Sequence, residues 1–126
     1  MSRDFSKHVV SNVLDDGSIE GWHVPNLWKY TEGIKSHRVA TSGLYKSIKQ
    51  KVYDTYTDKD WEQVKNADLS YPIIRHHEMG IIDGMHRTVK AHNEGIAFMD
   101  VIDIKDMPKP DYHWKNEFEY ESFFKQ

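Results

Sequence analysis

Asp83-Gly84-Met85-His86-Arg87 places a carboxylate, an imidazole and a guanidinium around one glycine. The segment follows the apolar pair Ile81-Ile82 and leads into Thr88-Val89-Lys90-Ala91-His92, so it reads as a strand, a tight glycine turn and the start of a helix. N–H groups at a helix start lack intrahelical partners and together carry roughly half a positive charge, which favours a bound anion. Arg87 would add a fork of donors suited to phosphate oxygens, and His86 a donor or a proton carrier. The chemistry indicated is phosphate binding, with contacts from Gly84, Met85, His86, Arg87 and Thr88. The plain alternative is a turn in which Asp83 and Arg87 form an ion pair while His86 lies on the surface.

Other residues that could do chemistry are weaker candidates. His76-His77-Glu78 has metal-ligand residue types, but neighbours in a strand point to opposite faces, and as turn residues they are expected to be solvent-exposed. His92 stands six residues after His86, off the same helical face. Thr41-Ser42-Gly43 could start a second anion-binding helix, although capping alone explains these residues. Asp100 and Asp103 suit catalysis or the wet face of an edge strand equally well. Trp22, Trp28, Trp61 and Trp114 could stack on a base, but packing is the commoner fate of tryptophan.

The elements that must position these residues are legible in outline. Val9-Val10 and Val13-Leu14 form a short strand or arm before the turn Asp15-Asp16-Gly17-Ser18, and a strand over 19–24 enters a short helix at Pro25. Leu44, Tyr45, Ile48, Val52 and Tyr56 mark one face of a helix over about 43–56, capped by Thr41 or Ser42. Thr57-Asp58-Lys59-Asp60 caps a second helix bearing Trp61, Val64 and Ala67. Ile73-Ile74 and Ile81-Ile82 read as two strands about a turn. A helix from about His86 to Asn93 then ends at Glu94-Gly95, and Phe98 to Ile104 reads as a strand. The aromatic tail, 111–126, is expected to pack as a helix on the domain or on a second copy of the chain. The fold class is mixed α+β: one domain over 1–126, a small mixed sheet flanked by helices.

Composition excludes several function classes. With no cysteine there is no disulfide, thiolate nucleophile or thiolate metal site. A formal net charge of -3 provides no overall basic field for nucleic acid, so DNA is not the favoured partner. No apolar run approaches the roughly 18 residues of a membrane span, and no signal-peptide pattern opens the chain; no membrane partner and a cytoplasmic location are the expectations.

From Asp68-Leu69-Ser70-Tyr71-Pro72-Ile73-Ile74, through Ile81-Ile82-Asp83-Gly84-Met85-His86-Arg87, to Lys90-Ala91 and Phe98 to Ile104, the order resembles the ParB/sulfiredoxin superfamily. Its members share a strand, a Gly-x-His-Arg or Gly-x-x-Arg turn, a helix carrying a small residue and a closing strand. The resemblance implies a nucleotide (ATP, ADP or CTP) with magnesium and a phosphotransferase or hydrolase activity acting on a small-molecule acceptor. On it, His86 and Arg87 would neutralise the transferring phosphoryl group, and Asp83 would bind magnesium or orient the nucleophile, with Glu20 behind it. Glu20 or His23, from the opening segment, would serve as general base. Sulfiredoxins carry a reactive cysteine where this chain has Met85, so sulfinic-acid repair is excluded. The rival implication is a DNA-associated ParB-like module, with Arg75, His76, His77 and Lys90 as its basic patch.

Overall fold

A computed structural model describes residues 8–125, which build five helices and two small sheets, a mixed α+β fold. Of the strand or arm expected over the first sixteen residues, 1–7 lie outside the described residues. The chain divides into two compact units. One holds the described residues up to Glu32 and those from Met107 onward; the other runs from Gly33 to Asp106.

In the first unit β1 (Val9–Val13) and β2 (Ile19–His23) form an antiparallel hairpin. Its turn closes through Gly17 at φ +86°, a conformation only glycine adopts without strain, while Asp16 accepts from the Ser18 backbone and hydroxyl. Helix α1 (Val24–Thr31) follows at once, with Pro25 in its first turn where a missing N–H costs nothing. The aromatic tail departs from the single helix expected of it. Tyr112–Trp114 pair with β2, and only Glu117–Phe124 are helical, capped by Asn116, whose side chain accepts from the Glu119 N–H at 2.9 Å. The rings of Tyr112, Tyr120, Phe123 and Phe124 gather round the buried Trp114, at 5.0 to 6.4 Å for the last three.

The second unit contains β3 (His37–Ala40), α2 (Thr41–Thr55), α3 (Asp58–Asn66), β4 (Ile73–His76), β5 (Gly80–Asp83), α4 (Met85–Asn93) and β6 (Phe98–Ile104); the tail strand Tyr112–Trp114 is β7 and Glu117–Phe124 is α5. Its sheet order is β3-β6-β4-β5, antiparallel except for the parallel β4/β6 pair. Strand β3 carries no apolar alternation and escapes the sequence reading. Strand β6 pairs with β3 over 98–101 and with β4 over 101–104, so Asp100 has a strand on one side only and Asp103 sits opposite Arg75 of β4.

Two clusters hold the helices to one sheet face. Leu44, Ile73, Ala91, Met99 and Val101 form the first; Ile48, Val52, Val64 and Val89 join α2, α3 and α4 in the second. Neither Thr41 nor Ser42 caps α2, which begins at Thr41 after Ala40 with no side-chain cap; Thr41 is buried instead. The Thr57 cap of α3 does form, as a reciprocal capping box with Asp60. Among the described residues no helix is long and apolar enough to cross a membrane.

Candidate functional site

Strand β5 ends at Asp83, and the chain turns through Gly84 at φ +112° directly into α4. A side chain at Gly84 would strike Ile73 and lie 3.0 Å from Arg87 Nη2, so the turn needs glycine for both conformation and space. The Thr88 N–H and hydroxyl each donate to the Gly84 carbonyl at 2.9 Å. Thr88 is fully buried, so it secures the turn and has no group left for a phosphate.

Arg87 does not face an open anion site. Its Nη2 donates to the Pro72 carbonyl at 2.9 Å and to Asp83 Oδ2 at 3.1 Å, with both side chains mostly buried. The pair ties the end of β5 to the residue that precedes β4. The ion-pair alternative is the arrangement found for these two residues; it engages Arg87 Nη2, while the buried Nε has no hydrogen-bond partner among the described residues. The Asp83 carboxylate, the candidate magnesium ligand, is buried against the guanidinium, whereas magnesium keeps several waters. No three His, Asp or Glu side chains among the described residues are grouped to hold a metal.

The first-turn N–H groups of Met85, His86 and Arg87 precede the first intrahelical bond, from Thr88 to Gly84, and no side chain caps them. The Met85 side chain packs into the α2/α3/α4 cluster. His86 is about one-third exposed, and its Nε2 lies 3.2 Å from Asp60 Oδ1 at the start of α3. A carboxylate accepts only, so Nε2 carries the proton there and a neutral ring has its lone pair on Nδ1. The other oxygen, Asp60 Oδ2, is held by the Thr57 N–H at 2.9 Å and the Thr57 hydroxyl at 3.1 Å. Tyr56 stands 5.5 Å from the imidazole, ring to ring, and its hydroxyl is buried with no hydrogen-bond partner among the described residues. Burial, with the Asp60 charge adding, pushes that phenol up to about 12, so it remains an O–H donor at neutral pH. Trp61, nearly half exposed, meets Tyr56 edge-on at 5.3 Å.

Asp60 and Tyr56 were not recognised in the sequence as site residues. The Thr57-x-x-Asp60 spacing is visible but accounts for only one carboxylate oxygen; the other is left for a partner that only the packing of α3 on α4 supplies.

The Thr57 backbone bond, first, and the bonds from His86 and the Thr57 hydroxyl hold the Asp60 carboxyl below the ordinary aspartate range against the opposing effect of burial. A folded pKa below the unfolded one gives stability that is present above about pH 3.9 and is lost as pH falls through the folded value. Thr57→Ala should lower the unfolding free energy at neutral pH by about 1 kcal/mol, read as a reduced urea midpoint. An unchanged midpoint would show that the capping box holds nothing.

Glu20 and His23 belong to the first unit. Glu20, mid-strand in β2, accepts from the Asn12 side chain at 3.2 Å, and His23 ends β2, its N–H donating to Asp111 Oδ2 at 2.8 Å. His76 corrects an expectation of exposure: it is buried at the end of β4, and its Nδ1 accepts from the Glu78 and Met79 N–H groups, closing the β4–β5 turn. His77 and Glu78 are exposed as expected. His92 stacks on Tyr45 with ring centroids 3.7 Å apart. Asp103 pairs with Arg75 through bonds of 2.7 and 2.9 Å and with His37 at 3.0 Å, while Asp100 is exposed.

Set beside known protein families, curated proteins and solved structures, the chain matches none of them.

Proposed function

We propose that the start of α4 binds the phosphates of a nucleotide and that His86, steadied by Asp60, handles the proton in a phosphotransfer or hydrolysis reaction. The observation that carries this reading is the His86–Asp60 contact at 3.2 Å, made beside uncapped first-turn amides. A carboxylate locked by its own helix cap fixes the imidazole in one orientation and tautomer, which is how a general base is prepared for an incoming hydroxyl or water. The amides of Met85, His86 and Arg87 and the positive helix end would take the negative charge. Trp61 offers a partly exposed ring face on which a base could stack. The resemblance of residues 68 to 104 to the ParB/sulfiredoxin superfamily supports a nucleotide of the ATP, ADP or CTP class, with a small molecule as acceptor. Arg87 and Asp83 build the site in this reading and do not touch the ligand.

The DNA-associated alternative has less support, because of the four residues of its basic patch His77 is exposed while the other three are engaged within the chain. Arg75 is paired with Asp103, His76 is buried as a hydrogen-bond acceptor, and Lys90 Nζ donates to the Ala67 carbonyl at 2.7 Å.

A thermal-shift panel of ATP, ADP, CTP and inorganic phosphate, each with and without magnesium, tests the proposal. One nucleotide at a hundredfold excess over its Kd should stabilise the protein by about 2.7 kcal/mol. His86→Ala should keep most of that gain, because its backbone N–H remains, but slow turnover, and Asp60→Asn, which preserves the side-chain shape, should likewise slow turnover more than it weakens binding. No stabilisation by any nucleotide would remove the proposal.

A further inference from the structure

The turn between β4 and β5 is closed by a side chain. His76, the last residue of β4, lies opposite Gly80, the first of β5, and residues 77–79 span the gap. Gly80 takes φ +77° as the chain re-enters the sheet. Two of the N–H groups in that span, those of Glu78 and Met79, donate to His76 Nδ1 at 3.1 and 3.2 Å. With His76 only 7% exposed, water has little access to take over either bond.

A side chain that accepts from the N–H groups two and three residues on is the ordinary work of Asp or Asn, whose oxygens accept at neutral and mildly acid pH alike. A neutral imidazole has a single acceptor nitrogen, and protonation turns that nitrogen into a donor. An imidazolium at residue 76 sets its own N–H against two others, so one proton removes both bonds that close the turn.

The surroundings offer that cation nothing in return. The ring of His77 lies 4.4 Å away, tilted by 38°, and its Nε2 is 3.4 Å from Glu78 Oε1. On β6 the residue opposite His76 is Ile104. Its neighbours are Asp103, which points to the other face of the sheet and is engaged by Arg75 and His37, and Lys105, itself a positive charge. The one titratable side chain of β5 is Asp83, bridged to Arg87. No carboxylate among the described residues forms an ion pair with His76.

Opening of the turn has a defined reach. Strand β5 is an edge strand paired with β4 alone, and its outer end rests on the His76–Gly80 and Arg75–Ile81 pairs. Ile81 packs against both core clusters, so fraying that starts at the turn stops there and leaves Asp83, Gly84 and α4 in place. We propose that His76 is an acid-sensitive latch on the β4–β5 turn. Neutral, it holds residues 77–79 closed; protonated, it releases the Glu78 and Met79 N–H groups and frees the outer end of β5. The inference is independent of the phosphate site at α4.

NMR of the full chain tests it between about pH 7.5 and about pH 5, the range in which an ordinary imidazole changes charge. Nitrogen shifts of the His76 ring report its protonation, and hydrogen exchange reports the Glu78 and Met79 amides. Protection of these two amides, corrected for the intrinsic pH dependence of exchange, should fall about tenfold as the ring takes its proton, the weight of one hydrogen bond lost from each, while the Ile74 and Val89 amides hold. His76→Asn should keep the protection across the range, because its amide oxygen accepts throughout. His77→Gln should keep the wild-type pH dependence. Amides that stay protected after the His76 ring is protonated would overturn the inference, as would a ring that stays neutral until the whole fold unfolds. A pH dependence that persists in His76→Asn, or that disappears in His77→Gln, would overturn it too.

Discussion

Arg87→Ala should destabilise the protein by about 3 kcal/mol or more, because it leaves the Asp83 carboxylate buried without the guanidinium that compensates it. The same change removes the donor to the Pro72 carbonyl. Equilibrium urea unfolding measures the loss, and Asp83→Leu combined with Arg87→Met should lose less than Arg87→Ala alone, since removing both charges leaves none stranded. The expected effect is therefore on the fold, whereas the motif alone suggests an effect on phosphate affinity. An unchanged urea midpoint, with nucleotide binding abolished, would return Arg87 to the role of phosphate ligand.

Gly84→Ala should cost about 2 to 4 kcal/mol, from a side chain forced to positive φ and from overpacking against Ile73. Gly43→Ala, inside α2 with open space around it, is the control and should be neutral or stabilising. If the two substitutions gave equal unfolding midpoints, the tight closure of the turn at residue 84 would be wrong.

The parts of the fold legible in the sequence were those written in local chemistry. The α3 capping box, the glycine turns and the apolar strands at 73–74, 81–82 and 98–104 all formed where residue type and spacing predicted. Strand β3 was not legible, because His37, Arg38, Val39 and Ala40 have no alternating apolar pattern and form a strand only through pairing with β6. Thr41 looks like a cap, yet the helix starts one residue earlier than that role requires, since the β3 ladder carries straight into it through Ala97. At the site, residue types identified the turn but not the partners. Asp83 and Arg87 read as ligands and are a buried brace. The partner of His86 sits 26 positions earlier, on a helix whose own cap accounts for half of the Asp60 carboxylate. Contacts between helices depend on how α3 settles on α4, which no local pattern records.

The central claim is that the uncapped start of α4 is an anion site and His86 its proton carrier. Its most direct test is to follow the amide resonances of Met85, His86 and Arg87, with the His86 ring, while titrating the protein with magnesium nucleotide and separately with inorganic phosphate. The account predicts saturable shifts centred on those three amides, larger for one nucleotide than for phosphate, and retained in His86→Ala, which keeps its backbone N–H, while turnover falls. Nucleotide that shifts resonances elsewhere, or none at all, while α4 stays unperturbed would contradict it.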